Sequence, residues 1–263
     1  MFLVKHKNNL KLIKESFRVE EIKTKGIVIK SVDFKDSDKI VTIFSADFGI
    51  IKARVRGVKK PKAKLAFAIQ PFAFLDLILI EKGGFYTLIN ASSIDQFFDL
   101  SYDFDKYIFC LAALEVCEKT IRENDINKEL FVLLLNLLKN SCYGEVSPMI
   151  AFIKFMLEAL KFLGFAVSIN KCPCCGNDLS NNIFAFSYDY NGMLCAKCSN
   201  KFEHLDLTIG EFTILKNIEI TDSQKLSNLK FLSRNDLISV ISLLCKIFRI
   251  STDEEIETIK KFL

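Results

Sequence analysis

Two CxxC pairs constrain this chain more than any other feature of its sequence. The segment "KCPCCGNDLSNNIFAFSYDYNGMLCAKCSN" holds Cys172 and Cys175 in one pair and Cys195 and Cys198 in the other, with nineteen residues between them. A CxxC turn presents two thiolates to one tetrahedral ion, and two such turns at this spacing match a structural zinc site. One structural Zn2+ held by Cys172, Cys175, Cys195 and Cys198 is therefore expected. Four thiolates leave no position for an activated water, so the metal should hold the fold and run no chemistry. The intervening "NIFAFSYDYNGML" reads as strand, turn, strand, with Asn191-Gly192 at its tip. Cys174 is an alternative ligand, but pairing it with Cys172 leaves one residue between them, which favours Cys172 and Cys175. A redox-active CxxC or idle buried thiols account less well for two matched pairs. Cys110, Cys117, Cys142 and Cys245 are read as core packing.

Nine cysteines in all, an odd number, and the absence of an export signal argue against a disulfide framework. In "MFLVKHKNNLKLIKESF" the lysines Lys5 and Lys7 follow a very short apolar start, which leaves no room for a signal-peptide core. A cytoplasmic protein is expected. The most apolar stretch, Pro148 to Val167, carries Lys154, Glu158 and Lys161 on one helical stripe, which reads as a soluble amphipathic helix and not a membrane span.

The net charge of +4 is unevenly spread. Through Phe98 there are 18 basic against 10 acidic residues, a net of +8, and beyond it 18 against 22. The basic part is also the β part. Five short segments between Ile22 and Asn90, rich in β-branched and aromatic residues and separated by turn residues, suggest a small barrel. After Asp99 the periodicity turns helical, with caps expected at Asp125, at Ser147 ahead of Pro148, and in a capping box of Thr208 and Glu211.

The run "IKARVRGVKKPKAK", Ile51 to Lys64, holds seven basic residues and no acidic one. Its first half alternates, so that in a strand Lys52, Arg54 and Arg56 share one face and Ala53 and Val55 the other. Lys59, Lys60, Lys62 and Lys64 extend it through a loop, and Lys25, Lys30 and Lys39 lie on neighbouring strands. Cations so clustered are expected to follow a phosphate backbone, a sequence-independent contact. The competing explanation is an edge strand protected from aggregation by its lysines. Phe34, Phe48, Phe67 and Tyr86 are candidates for stacking on bases, although packing is the commoner fate of such residues. Asp33, Asp36 and Asp38 are read as solvated turn residues. The two histidines, His6 and His204, and the lack of any nucleotide-loop or nucleophile-elbow motif leave no catalytic set, so an enzyme is not expected.

From Lys23 to Leu79 the sequence "KTKGIVIKSVDFKDSDKIVTIFSADFGIIKARVRGVKKPKAKLAFAIQPFAFLDLIL" resembles the amino-terminal domain of the bacterial recombination mediator family RecO. The resemblance is carried by Lys25-Gly26, Asp38-Lys39, "RGVKKPKAKL" and Gln70-Pro71, and by the order of helices and four-cysteine insert that follows. It implies an α+β multidomain protein: an extension over 1–21, an OB-fold DNA-binding barrel over 22–97, a helical domain over 98–168 continued over 204–263, and a zinc-binding module over 169–203. It further implies a nucleoid-associated protein that binds single- and double-stranded DNA and anneals complementary strands. With RecR, such a protein helps load RecA onto DNA coated by single-strand-binding protein, SSB. The acidic, apolar-ended SSB tail would need a groove in the helical domain, near Lys106, Lys119, Arg122 or Lys154. Two rival readings are an OB and zinc-ribbon RNA-binding protein of translation or ribosome assembly, and a protein-binding scaffold with an incidental basic run.

Overall fold

The computed structural model describes residues 20–179, 184–229 and 233–262. Of the expected extension over 1–21, residues 1–19 lie outside this range, and so do residues 180–183 of the insert.

Five strands close a barrel in the order β1-β2-β3-β5-β4. They are β1 (Glu20–Phe34), β2 (Asp38–Ser45), β3 (Gly49–Val55), β4 (Phe74–Lys82) and β5 (Phe85–Asp95). β3 and β5 pair in parallel and the other neighbours antiparallel, the arrangement of an OB-type barrel. Alternate residues fill its interior: Val41 and Ile43 from β2, Ile51, Ala53 and Val55 from β3, Leu75, Leu77 and Leu79 from β4.

β1 serves two neighbours, its first half pairing with β4 and its second with β2. Gly26 stands at the exchange, where an added Cβ would meet Ile43 Cγ2 at 2.4 Å. The register with β2 then shifts between Val28 and Lys30, leaving Ile29 as the extra residue of a bulge. The bulge resets which residues face out. Before it Lys23 and Lys25 are exposed and Thr24 is buried; after it Lys30, Val32 and Phe34 are exposed.

The barrel unit runs to Gln96 and takes in a returning segment, Arg122–Ile126. That segment lies along the β2–β3 turn, with Ile50 N donating to Arg122 O at 3.2 Å and Asn124 N to Phe48 O at 3.1 Å. Gly49 permits the approach, since its φ is +66° and a Cβ there would lie 2.5 Å from Asp125 O.

The second unit begins with helices α1 (Phe104–Thr120), α2 (Lys128–Tyr143) and α3 (Pro148–Phe162). Asn127 caps α2 through its side chain, correcting the expectation of Asp125, which belongs to the segment beside the barrel. Next come β6 (Ala185–Ser187), β7 (Gly192–Leu194), the short α4 (Ala196–Ser199) and β8 (Leu205–Asp206), then α5 (Ile209–Ile220), α6 (Arg234–Thr252) and α7 (Glu257–Lys260). The Thr208–Glu211 capping box is present at the start of α5.

α3 is the central helix, packed against α1, α2, α5 and α6. Of the polar stripe expected on it, Lys161 is exposed but Lys154 is not solvated. Lys154 is only 8% exposed, its ammonium held by Glu158 Oε1 at 3.2 Å and the carbonyl of Glu219 at 3.0 Å. Cys110, Cys117 and Cys142 are buried and Cys245 is partly so. Among the described residues no helix is long and apolar enough to cross a membrane.

Candidate nucleic-acid interface and metal centre

The pairing of β1, β2 and β3 sorts the expected cations by face. Residues directly opposite on neighbouring strands share a face. Lys30 pairs with Thr42 and Thr42 with Lys52; Val32 pairs with Ile40 and Ile40 with Arg54. The outer surface of these three strands therefore carries Lys30, Lys52 and Arg54, and the exposed Arg56 follows at the end of β3. Phe34 joins them, 37% exposed, with the Arg54 guanidinium 5.3 Å and the Lys35 ammonium 5.4 Å from its ring centroid.

Arg54 is fixed from below. Its Nε donates to Asp38 Oδ2 at 2.7 Å, and a second nitrogen, Nη2, pairs with the same oxygen. The other oxygen of Asp38 accepts from Gly57 N at 2.7 Å and from Ser37 Oγ at 3.1 Å. The Gly57 N–H and the guanidinium together hold the Asp38 carboxyl down to about 2. Asp38 is 5% exposed, so it is a buried latch between β2 and the start of the basic loop, not a solvated turn residue. The loop is tied to the β1–β2 turn a second time, by Lys59 N donating to Ser37 O at 3.0 Å.

The remaining cations are divided. Lys52 pairs with Glu123 at 3.7 Å. Lys39 shares the face of Val55, opposite to that of Arg54, and with Lys59 it binds the two oxygens of Asp33 at 3.2 and 3.0 Å. These lysines lower the Asp33 carboxyl below its ordinary value. Arg56, Lys60, Lys62 and Lys64 are exposed and make no ion pair among the described residues. Lys25 lies on the first half of β1, opposite Asp76 of β4, and is separated from Lys30 by the buried Ile27 and Ile29.

Of the candidate aromatics, Phe48, Phe67 and Tyr86 pack against the barrel core. Phe85 was missed by sequence reasoning. It is 79% exposed, and since Ala53 pairs with Tyr86, one residue back along each strand stand Lys52 and Phe85. The signal that finds it is its place directly after the Gly83-Gly84 turn, where a large aromatic has no core to fill.

The four cysteines meet. The sulfurs of Cys172, Cys175, Cys195 and Cys198 all lie within 4.8 Å of one another, and Cys175 Sγ is 3.6 Å from Cys195 Sγ. A tetrahedral ion with 2.3 Å metal–sulfur bonds spaces its ligands by about 3.8 Å, so the donor set fits one metal ion. Local turns build it: Gly176 N donates to Cys172 O at 2.8 Å with Gly176 at φ +74°, and Cys198 N to Cys195 O at 2.9 Å. Ala185, Leu194, Leu179 and Tyr190 enclose the cluster. Burial opposes ionisation of Cys172, but backbone N–H groups of Cys195, Cys175 and Cys174 hold its thiol down to about 6. Burial and the crowding of Cys175 and Cys195 push Cys198 up. Four thiolates cannot coexist at this distance without a cation among them. Cys174 is outside the set, and the hairpin between the pairs turns over Tyr188–Asn191, with β8 adding a third strand to β6.

Comparison with known proteins follows this division. A family model described as "Recombination protein O N terminal" matches residues 19–97, and one described as "Recombination protein O C terminal" matches residues 101–237. Relatives named "DNA repair protein RecO" include that of Caldicellulosiruptor saccharolyticus, 30% identical over 81% of this chain and 86% of the relative. That of Caldicellulosiruptor bescii is 30% identical over 84% and 90%, and that of Shouchella clausii 30% identical over 69% and 70%.

Proposed function

The chain belongs to the RecO family of DNA repair proteins, and from that premise we propose that it is a mediator that binds single- and double-stranded DNA and anneals complementary strands without catalysing any covalent step. The observation that carries this reading is the outer face of β1, β2 and β3, which holds Lys30, Lys52 and Arg54, with Arg56 at the end of β3, and the exposed ring of Phe34 beneath the Arg54 guanidinium. Cations attract phosphates whatever the base sequence. Phe34, with Phe85 at the edge of the same face, offers ring surfaces to unstacked bases at ~1–3 kcal/mol each. Contacts limited to phosphates and ring faces leave the hydrogen-bonding edges of the bases open to an incoming strand.

The test is the salt dependence of single-strand affinity. Each phosphate contact contributes about 0.7 to the slope of log affinity against log salt, so replacing Lys52 and Arg56 with Ala reduces it by about 1.4 in anisotropy titrations. Arg54 is left in place because its loss also frees Asp38. An unchanged slope counts against the reading. Annealing of complementary oligonucleotides should proceed without nucleotide, and a requirement for ATP would overturn the non-enzymatic role. Structured RNA that displaced the DNA at low concentration would favour an RNA-binding factor instead.

In the same reading the chain works in the cytoplasm at the nucleoid, with RecR, to load RecA onto SSB-coated single strands. For the acidic, apolar-ended SSB tail, the second unit offers a groove of about 600 Å³ whose lining includes Lys128, Val132, Leu133, Lys154 and Phe162, and also the acidic Glu129, Glu158 and Asp222. The Lys154 ammonium is already satisfied, which leaves Lys128 as the cation for a terminal carboxylate. The metal of the four-cysteine centre is zinc, held by Cys172, Cys175, Cys195 and Cys198. When bound it supplies charge neutralisation and a cross-link and nothing catalytic.

A further inference from the structure

One strand of the barrel presents cations to two different surfaces. The bulge at Ile29 turns Lys30 toward the β1–β2–β3 face, while Lys23 and Lys25 project beside β4. Buried Ile27 and Ile29 lie between the two groups. Beside Lys23 and Lys25 runs a groove of about 570 Å³ that also involves Asp47, Asp76, Asn90 and Ser92.

The walls of this groove differ in chemistry. On the β1 side Lys23 and Lys25 are exposed and make no ion pair among the described residues. On the middle strand β4 Asp76 stands directly across from Lys25; on the far side β5 carries Ser92 and Asn90, and Asn90, whose Oδ1 accepts from Ala91 N at 3.0 Å, keeps its amide N–H groups for a ligand. Ile78, directly across from Lys23, is the apolar position between Lys23 and Asn90. The end wall is held by hydrogen bonds: Thr24 Oγ1 lies 2.8 Å from Ser45 Oγ and donates to Asp47 Oδ2 at 2.9 Å, and Ser45 Oγ accepts from Asp47 N and Phe48 N at 3.2 Å. Lys23, which has Ile78 and not a carboxylate across from it, and the hydrogen-bonding groups of Asn90 and Ser92 beyond match a nucleotide whose phosphate sits beside Lys23. Asp76 offsets part of the charge of Lys25 and, with Asp47, can accept from exocyclic amino groups of bases.

We propose that this groove is a second single-strand DNA site, separate from the β1–β2–β3 face, so that one barrel holds two strands at once. The inference rests on the DNA-binding reading above and extends it: annealing needs two strands brought together, and a single face supplies only one. Ligand pockets of ~300–1,000 Å³ hold drug-sized molecules, so the groove takes roughly one or two nucleotides and leaves the rest of that strand's bases free to pair.

The test uses short oligodeoxyadenylates, which do not pair with one another, one labelled with a donor dye and one with an acceptor. Mixed with the full chain, they should give energy transfer as both occupy the same barrel. In the variant Lys23→Ala/Lys25→Ala the transfer should fall about tenfold while affinity for a single oligonucleotide stays within about twofold, because the first face keeps its phosphate contacts. Both lysines are exposed, and unchanged circular dichroism would establish that the variant folds. Transfer that persists in the variant overturns the proposal. So does a parent protein that binds one strand without transfer, or a variant whose one-strand affinity falls in step with the transfer, since the groove would then lie on the path of a single strand. A parent that binds no single strand overturns the mediator reading, and this proposal with it.

Discussion

Asp38 determines how Arg54 of the proposed interface is presented. Its two oxygens bind Arg54 on one side and the Gly57 N–H and Ser37 hydroxyl on the other, so one buried carboxylate fixes both the guanidinium and the start of the lysine-rich loop. With its folded value near 2, below the ordinary 3.8, the stability it contributes is fully present above pH 3.8 and fades as the pH falls through about 2. The Asp38→Asn variant should therefore unfold at lower urea than the parent at pH 7, with the difference narrowing below pH 3.8. A constant difference across that window would contradict the assignment. The sequence did not disclose this role. Asp38 stands among Asp33 and Asp36 in a turn, where solvation is the ordinary fate, and its partner Arg54 is 16 residues away. The alternation of Lys52, Arg54 and Arg56 was legible because strand geometry alone enforces it. The carboxylates that meet them, Glu123 above all, come from distant segments and were not.

At the level of elements, two local features of the barrel, a bulge and a glycine, carry its specialisation. The bulge in β1 gives one strand two outward surfaces. Gly49 admits the returning segment Arg122–Ile126, which places Glu123 beside Lys52. Alanine at position 49 combines an unfavourable φ with a Cβ set 2.5 Å from a backbone oxygen, a cost of about 1–3 kcal/mol. Gly49→Ala should lower the melting temperature by several degrees, read by circular dichroism. All five strands and the capping box at Thr208 could be read in advance, since turn residues, β-branched runs and cap spacing are local signals. α3 could not be read so well. Lys154, Glu158 and Lys161 follow the spacing of a solvated stripe, yet Lys154 is buried because Glu158 and the Glu219 carbonyl satisfy it, a tertiary arrangement that helical spacing does not encode.

Taken whole, the molecule is divided by charge into a basic barrel, the proposed seat of the polyanion, and a mildly acidic helical unit that carries the four-cysteine cluster. The cysteine centre was the most legible site because its ligands come in two local turns. Cys195→Ser/Cys198→Ser should lose bound metal and make the insert sensitive to proteolysis, while single-strand affinity of the barrel changes by less than about twofold. Metal affinity in the parent should fall on acidification from neutral pH downward, because thiols pushed up, Cys198 among them, must lose their protons to bind the ion, as measured by competition with a chromogenic chelator. The return of Arg122–Ile126 to the β2–β3 turn has its own consequence. The stretch up to Gln96 is a module on paper only: transplanted by itself, it would leave behind the rung that covers Gly49 and the acidic neighbour of Lys52. Hybrids spliced between relatives at that seam would inherit a mismatched edge, and crossover points chosen after Ile126 would spare it.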